Sequence, residues 1–232
     1  MARTYPPLGL HQELMLLALH DEKGTVTTGT WYSMALGGGI LTELMLQDRV
    51  KVETERNKTY LQLVSRKSTG DDVLDEALQK VDSAKRRATL QTWVPRMAGI
   101  KQLSHRVAQQ LCDLKILRAD EKQVLLFFKK RIYPERDHGP ERQIIERLES
   151  AIFDRSANIA PRTVVLLSLA NSGGMLPFLF DKKKLKSRKE HIDNVTSGAT
   201  LGDATSQAIQ SAQTAIMVAT MVPIMTTAAI HH

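Results

Sequence analysis

Four carboxylates are concentrated in one short stretch, at Asp71, Asp72, Asp75 and Glu76. Paired carboxylates can act as general acid and general base, so an acid/base centre is one interpretation of this cluster. The structural alternative is that acidic residues in the first turn of a helix interact favourably with the positive end of its dipole. We favour the structural interpretation and rank an enzyme acting through Asp72, Asp75 or Glu76 as the weakest hypothesis.

The other residues that could carry chemistry are not spaced as known sites require. Residues Gly37 to Gly39 form a glycine triplet, but the Lys-Ser ending of a phosphate-binding loop does not follow it, and no Gly-x-Ser-x-Gly motif is present. Five histidines lie outside the C-terminal pair: His11, His20, His105, His138 and His191. Their spacing matches neither a His-Glu-x-x-His motif nor a Cys/His zinc site. The single cysteine, Cys112, excludes an internal disulfide and is interpreted as a small buried apolar residue in a reducing, cytoplasmic setting. The sequence therefore predicts no catalytic residue, no metal and no cofactor.

The charge of the chain favours anionic partners. The net charge is +7 and the isoelectric point is near 9.5. The densest basic run, Lys182–Lys189, is either a solvated helix face or a surface that attracts anionic lipid or nucleic acid. A second basic stretch, Lys129-Lys130-Arg131, is flanked by Phe127-Phe128 and Ile132-Tyr133. Such a loop suits a membrane interface, although its aromatic residues could instead close the core.

Most of the chain has the periodicity of helices, and two stretches have that of β-hairpins. The Gly29–Gln47 segment is predicted to form a buried helix, with Trp31 and Tyr32 ahead of the glycine triplet. The other predicted helices are Leu10–His20, Asp71–Ala84, Leu90–Met97 with a break at Pro95, Ile100–Leu117, Pro140–Arg155, Pro161–Ala170 and Leu176–Val195. The predicted hairpins are Arg49–Val64 and a projecting element that begins at Val124.

The last stretch, Ala204–Ile230, contains no charged residue. Its length would suffice to cross a bilayer, but its many small and polar residues and Pro223 favour a buried core helix. We expect one mainly α domain over residues 1–230, with a central helical bundle surrounded by amphipathic helices. His231 and His232 are interpreted as the remnant of a purification tag.

Several segments in their order and spacing make the chain similar to the Golgi phosphoprotein 3 family. They are Leu10–Leu19, Asp21–Gly24, Leu41–Leu44, Leu74–Leu78, Leu117–Phe127, Tyr133-Pro134 and Pro161–Thr163. The resemblance implies a mainly helical fold and a peripheral membrane protein on the cytosolic face of the Golgi. It also implies recognition of phosphatidylinositol 4-phosphate and retention of glycosyltransferases through their cytosolic tails. Because little sequence precedes Leu8, the chain looks like either a prokaryotic relative of the family or a shortened form of a longer member.

The resemblance also implies a set of headgroup-binding positions. Trp31 and Lys101 match the family's tryptophan and the first residue of its later basic pair, whereas Gly37 and Ser104 stand where the family has basic residues. His105 lies four residues after Lys101, and on a continuous helix the two would share a face. The family's hairpin, which contacts membrane and takes part in self-association, matches Phe127–His138. Its expected membrane-contacting residues here are Phe128, Lys129, Lys130, Arg131, Ile132 and Tyr133.

The leading hypothesis is therefore a non-enzymatic adaptor that binds anionic lipid and client tails. The alternative is a winged-helix nucleic-acid-binding protein, in which the Val50–Leu63 hairpin would be the wing. Against this alternative, the preceding segment Ile40–Leu46 is apolar, whereas a recognition helix presents Arg, Asn or Gln to base edges.

Overall fold

The chain folds mainly into helices, as the sequence predicts. The computed structural model describes residues 5–19, 31–124, 128–154 and 158–198, together with Val218. The helices in these ranges are α1 (Leu10–Ala18), α2 (Trp31–Leu46), α3 (Asp72–Asp82), α4 (Leu90–Ala98), α5 (Leu103–Asp113), α6 (Gly139–Phe153), α7 (Pro161–Ser172), α8 (Leu176–Leu179), α9 (Lys182–Ser187) and α10 (Lys189–Thr196). The strands are β1 (Val50–Glu55), β2 (Lys58–Leu63), β3 (Asp120–Val124) and β4 (Phe128–Ile132).

The helices α1, α2 and α7 form the centre of the molecule. Almost all residues of α1 are buried, as are Ala35–Met45 of α2 and most of α7. A helix that is apolar on nearly every side is stable only when neighbours cover it, and these three pack against one another. The helices α3, α5, α6 and α10 surround them with one apolar and one polar face. The predicted bundle with an amphipathic surround is thus confirmed.

The glycine triplet lies in the middle of α2, so it neither starts a helix nor forms a phosphate-binding loop. A Cβ at Gly37 would lie 2.6 Å from the carbonyl oxygen of Val94 on α4. A Cβ at Gly39 would lie 2.8 Å from Cδ1 of Leu14 on α1. The two glycines therefore let α2 approach a neighbouring helix closely on either side, at the conformational cost that glycine carries inside a helix.

Ion pairs of two buried carboxylates connect the central helices to one another and to α6. Glu43 of α2 accepts hydrogen bonds from the backbone N–H of Leu10 at 2.8 Å and from Nη2 of Arg162 at 3.0 Å. Glu13 of α1 accepts one from Nη2 of Arg147 at 2.6 Å. Paired carboxylates of this kind are tolerated in a core because each charge has a partner. Three of these residues, Glu13, Glu43 and Arg162, belong to the segments that carry the family resemblance, which explains those segments by packing.

Two predicted helices have different bounds in the structure. The segment Ile100–Leu117 becomes helical only at Leu103, because Gln102 adopts a left-handed conformation with φ of 54°. The predicted Leu176–Val195 helix is wrong as a single element. The chain becomes extended at Phe180 and again leaves the helical conformation at Arg188, which separates α8, α9 and α10. The predicted break at Pro95 is wrong, since α4 runs through Pro95 without interruption.

Both predicted hairpins are present as separate two-stranded antiparallel sheets. In the first, Val50 is paired with Leu63, and Arg56 and Asn57 make the turn with φ of 47° and 61°, as a tight hairpin turn requires. In the second, Asp120 is paired with Ile132, and its tip at residues 125–127 is outside the described ranges. Of the predicted Ala204–Ile230 helix only Val218 is described, and it is helical and fully buried. None of the described helices is both long and apolar enough to cross a bilayer.

Candidate functional site

A hydrogen bond between two helix N-termini brings together residues that the sequence separates widely. The hydroxyl of Tyr32, in the first turn of α2, is hydrogen-bonded to Oγ of Ser104 in the first turn of α5. Trp31 begins α2 beside Tyr32 and is partly exposed. Lys101 precedes Ser104 by three residues. The start of α2, with its indole, therefore lies next to the turn that carries the ammonium group.

The turn before α5 holds Lys101 at the surface. Ile100 is 3% exposed and anchors the turn in the core, and its carbonyl accepts a hydrogen bond from the N–H of Leu103 at 3.1 Å. Lys101 itself is exposed. Because Lys101 is outside the helix and is followed by left-handed Gln102, the expectation that it shares a helix face with His105 is wrong.

His105 is connected to the base of the second hairpin. Its Nε2 lies 2.8 Å from Nη1 of Arg131, and its Nδ1 is hydrogen-bonded to the hydroxyl of Tyr133. Arginine has no acceptor, so Nε2 must accept, and this network assigns the ring proton of a neutral imidazole to Nδ1. In this arrangement the imidazole holds Arg131, and Arg131 is the cation that faces solvent.

Tyr133 is at the base of the hairpin and only 7% exposed. Its ring centroid lies 5.8 Å from that of His105, and burial is the main cause that raises the pKa of its phenol above the ordinary value. The expectation that Tyr133 contacts membrane does not agree with this burial, which arises because the chain returns to the core directly after β4. Ile132 is partly exposed and Arg131 exposed. Phe128, Lys129 and Lys130 lie in β4.

Gly37 is not available to a ligand. It is buried in the contact between α2 and α4, where even a methyl group would collide with the backbone of Val94 and Ala98. The correspondence of Gly37 with the family's arginine therefore carries no binding role for this position in the present structure.

The acidic cluster is occupied by structural partners. Asp71 caps α3 by accepting from the N–H groups of Val73 and Leu74, and it also pairs with His11 at 3.1 Å. Burial alone would raise the pKa of Asp71, but the hydrogen bond and charge of His11, together with Leu74 and Gln110, lower it to about 2.

Arg106 binds two further members of the acidic cluster. Its Nη2 lies 2.6 Å from Oδ2 of Asp72, and its Nη1 is hydrogen-bonded to Glu76. The bond from Arg106 is the first cause that lowers the pKa of Glu76. Asp75 accepts from Ser68 and Thr69. A carboxyl group that acts as a general acid near neutral pH needs a raised pKa, whereas the pKa values of Asp71 and Glu76 are lowered.

Two other residue types also lack the surroundings of a reactive site. Cys112 is partly buried, and burial, followed by the charge of Asp113, raises the pKa of its thiol to about 11, which disfavours the nucleophilic thiolate. Within the described ranges no three His, Cys, Asp or Glu side chains are grouped so that they could hold a metal ion.

The sequence interpretation brought out Trp31, Lys101, Ser104 and His105, and in the structure the bond between Tyr32 and Ser104 joins the two helix starts near which they lie. It missed Tyr32 as the residue that connects them, and it assigned Arg131 to a separate membrane loop. The position of Tyr32 beside Trp31 at a helix start was the available signal. The approach of Arg131 depends on how the hairpin returns to α5, and no local pattern encodes that path.

A mainly helical domain with an amphipathic surround and two small hairpins defines the class of protein to which this chain belongs. A family model described as Golgi phosphoprotein 3 (GPP34) matches residues 10–212, so the chain belongs to this family. The chain is also 28% identical over 224 residues to a Schizosaccharomyces pombe protein, "Vacuolar protein sorting-associated protein 74". That alignment covers 82% of this chain and 65% of the relative.

Proposed function

We propose that this protein attaches to the surface of anionic membranes and binds a lipid headgroup phosphate in a notch formed by Trp31, Lys101, Ser104 and Arg131. We call these four residues the headgroup notch. The observation that carries the proposal is the hydrogen bond between Tyr32 and Ser104, because it joins the helix start that bears Trp31 to the turn that bears Lys101.

The four side chains supply complementary contacts to a phosphorylated headgroup. The guanidinium of Arg131 and the ammonium of Lys101 can both donate charge-assisted hydrogen bonds to phosphate oxygens. The hydroxyl of Ser104 adds a neutral donor or acceptor. An indole at the rim suits the boundary between headgroups and acyl chains, since it has an apolar body and one polar N–H.

Arg131 supplies a basic side chain near the positions where this chain lacks the basic residues of the family pattern. The matching positions Gly37 and Ser104 carry no charge, but Arg131 is held by His105, the residue that follows Ser104. A second cation can therefore come from the hairpin. We propose that the notch accepts a phosphoinositide such as phosphatidylinositol 4-phosphate, with selectivity that depends on Arg131.

Family membership supports a wider, non-enzymatic adaptor role. The family model is described as Golgi phosphoprotein 3, and the Schizosaccharomyces pombe relative is named for vacuolar protein sorting. We propose attachment to the cytosolic face of the Golgi or of a corresponding membrane, with client proteins, glycosyltransferases among them, held by their cytosolic tails. We also propose that the hairpin around Phe127–His138 takes part in membrane contact and in self-association.

The nucleic-acid alternative has less support. The helix before the first hairpin is α2, which is buried from Ala35 to Met45 and so has no free face for a DNA groove.

Flotation with lipid vesicles tests the proposed function. Vesicles of phosphatidylcholine alone are compared with vesicles that also contain phosphatidylinositol 4-phosphate. We expect the wild-type protein to float with the second kind only, and Trp31→Ala, Lys101→Gln and Arg131→Gln each to reduce the bound fraction. Lys115→Gln is the matched control, since Lys115 is an exposed lysine just beyond the other end of α5. Equal flotation with both kinds of vesicle, or no effect of the three notch variants, would contradict the proposal.

A further inference from the structure

The short helix α9 displays four lysines that the fold does not use. Lys182, Lys183, Lys184 and Lys186 are all exposed, and Phe178, in the preceding helix α8, is 60% exposed. We call these five residues the lysine surface. The four lysines belong to the basic run Lys182–Lys189, whose sequence is compatible with either a solvated helix face or an anion-attracting surface.

The helix that bears these lysines is fixed to the body of the protein. The ring of Phe180 packs edge-on against Phe153 at a centroid distance of 5.9 Å. Asp181 caps α9 through the N–H of Lys184 at 2.9 Å, and Leu185 packs against the core. At its end, Nη2 of Arg188 donates to the carbonyl of Phe153 at 2.9 Å. The backbone of the lysine surface is therefore held in place while its cations point outward.

The charge of this surface is not balanced locally. Among the described residues, no carboxylate forms an ion pair with any of the four lysines. The nearest acid in sequence, Asp181, directs its side chain to the backbone of Lys184. Four unpaired ammonium groups on one short element attract an extended anionic partner, because each contributes separately to the attraction.

Phe178 distinguishes a membrane from other anionic partners. In the part of the chain that the structure describes, only Phe178 and Val64 are large apolar residues with such exposure. An aromatic ring next to lysines is the combination that anchors proteins at a membrane interface, where rings enter the headgroup zone and cations remain beside phosphates. A nucleic-acid duplex offers equivalent phosphates, but its bases are stacked on one another and it has no apolar layer that would accommodate the ring.

The turn that leads to the lysine surface lies close to the first turns of α2, the helix that begins with Trp31 of the headgroup notch. The turn between α7 and α8 packs against α2, where a Cβ at Gly173 would lie 2.8 Å from Cβ of Ala35. Ala35 is one helical turn after Trp31. Phe178 follows that turn by only a few residues. The lysine surface therefore follows, within a few residues, a turn that packs beside the start of α2.

We infer that Phe178, Lys182, Lys183, Lys184 and Lys186 form a second membrane-binding surface, which recognises the anionic bilayer by charge density and does not select one headgroup. The inference rests on the proposed function in that both regions face one membrane. The notch selects the lipid, whereas the lysine surface supplies attraction that depends on ionic strength.

Flotation with phosphatidylcholine vesicles that contain phosphatidylserine, but no phosphoinositide, tests the inference. The variant in which Lys182, Lys183, Lys184 and Lys186 are all changed to Gln should lose about fivefold in partitioning for each charge removed. The control variant changes Lys51, Lys58, Lys67 and Lys85 to Gln, four exposed lysines elsewhere, and so has the same net charge. Phe178→Ser should lose on the order of fivefold, and Phe178→Leu should retain most of the binding.

The outcomes separate this inference from the proposed function. Equal losses in the two lysine variants would overturn the inference, because net charge alone would then explain binding. Loss of flotation only in the notch variants would overturn it and leave the headgroup notch in place, whereas loss only in the lysine-surface variants would do the reverse. A wild-type protein that ignores the phosphatidylserine vesicles but shifts duplex DNA through the same lysines would identify a nucleic-acid surface and overturn the inference as well.

Discussion

The acidic cluster at the start of α3 and the lysine surface on α9 are both dense groups of like charge, but the fold treats them oppositely. Asp71, Asp72 and Glu76 have partners on α1 and α5, including His11 and Arg106. The lysines of α9 have no described acidic partner and are exposed. A charge cluster that is neutralised within the fold stabilises the fold. A cluster without partners is available to another molecule.

The largest effect should come from a charge that is forced into the interior. Gly37→Arg introduces a basic side chain at the position where the family resemblance implies one, but the α2–α4 contact has no room for it. We expect a loss of more than about 4 kcal/mol in the free energy of unfolding, so that little folded protein remains. Circular dichroism during thermal unfolding measures this.

Ser104→Arg is the comparison for that variant, because Ser104 is partly exposed and the new side chain can reach solvent. It should remain folded despite the loss of the bond to Tyr32. A Gly37→Arg protein with the melting temperature of the wild type would show that α2 and α4 can separate freely.

The next effect should come from the acidic cluster. Asn caps helices about as well as Asp, so Asp71→Asn removes the charge and its pairing with His11 but retains the cap. We expect a loss of about 2 kcal/mol near neutral pH. Because the pKa of Asp71 is lowered from 3.8 to about 2, its contribution is complete above 3.8 and is lost as the pH falls through about 2.

Urea unfolding near neutral pH and near pH 2 checks this dependence. Glu149→Gln, at an exposed position with no described partner, is the control and should change stability little. A difference between wild type and Asp71→Asn that stays constant down to the lower pH would refute the role given to the charge.

A smaller loss is expected at Arg106. Arg106→Gln removes the partner of Asp72 and Glu76, but these groups are partly exposed and water screens the interaction. We expect a loss of about 1 kcal/mol in the free energy of unfolding, reduced at high salt. Arg118→Gln, an exposed arginine whose side chain has no described partner, should be neutral within about 0.5 kcal/mol. If both substitutions have the same cost, the comparison between the two charge clusters loses its support.

The smallest effect on stability should come from the lysine surface itself. Changing all four lysines of α9 to Gln should leave the free energy of unfolding within about 0.5 kcal/mol of the wild-type value, since the lysines bind nothing in the fold. The same variant should show the large loss of vesicle binding described above. Urea unfolding and flotation on one preparation compare the two. A marked destabilisation would assign these lysines a structural role.

The elements of the fold were largely predictable because they depend on local patterns. The apolar periodicity of α1, α2 and α7 and the alternating residues of the first hairpin are encoded by neighbours in sequence. The break of the predicted Leu176–Val195 helix at Phe180 was missed; at the break the Phe180 ring packs on Phe153, which is distant in sequence, and Asp181 caps the next helix. The delayed start of α5 was also missed, because a glutamine carries no local signal for the left-handed conformation that Gln102 adopts.

The candidate site was predictable only in part. Trp31, Lys101, Ser104 and His105 came from the family resemblance, and Gly37 came with them although it is buried. Arg131 was assigned to another element altogether. A resemblance transfers positions, but it does not report whether a position is exposed or which side chains approach it from other elements.

The sequence by itself determined that the chain is mainly helical, basic and without a known catalytic or metal-binding motif, because composition and short-range periodicity carry that information. Only the tertiary structure decided which charges remain available. The carboxylates of α3 find partners because α1 and α5 pack beside them, whereas the lysines of α9 stay free because the anchoring of Phe180 and Leu185 turns them outward. Pairing of charges depends on distance in space, and spacing along the chain does not set that distance.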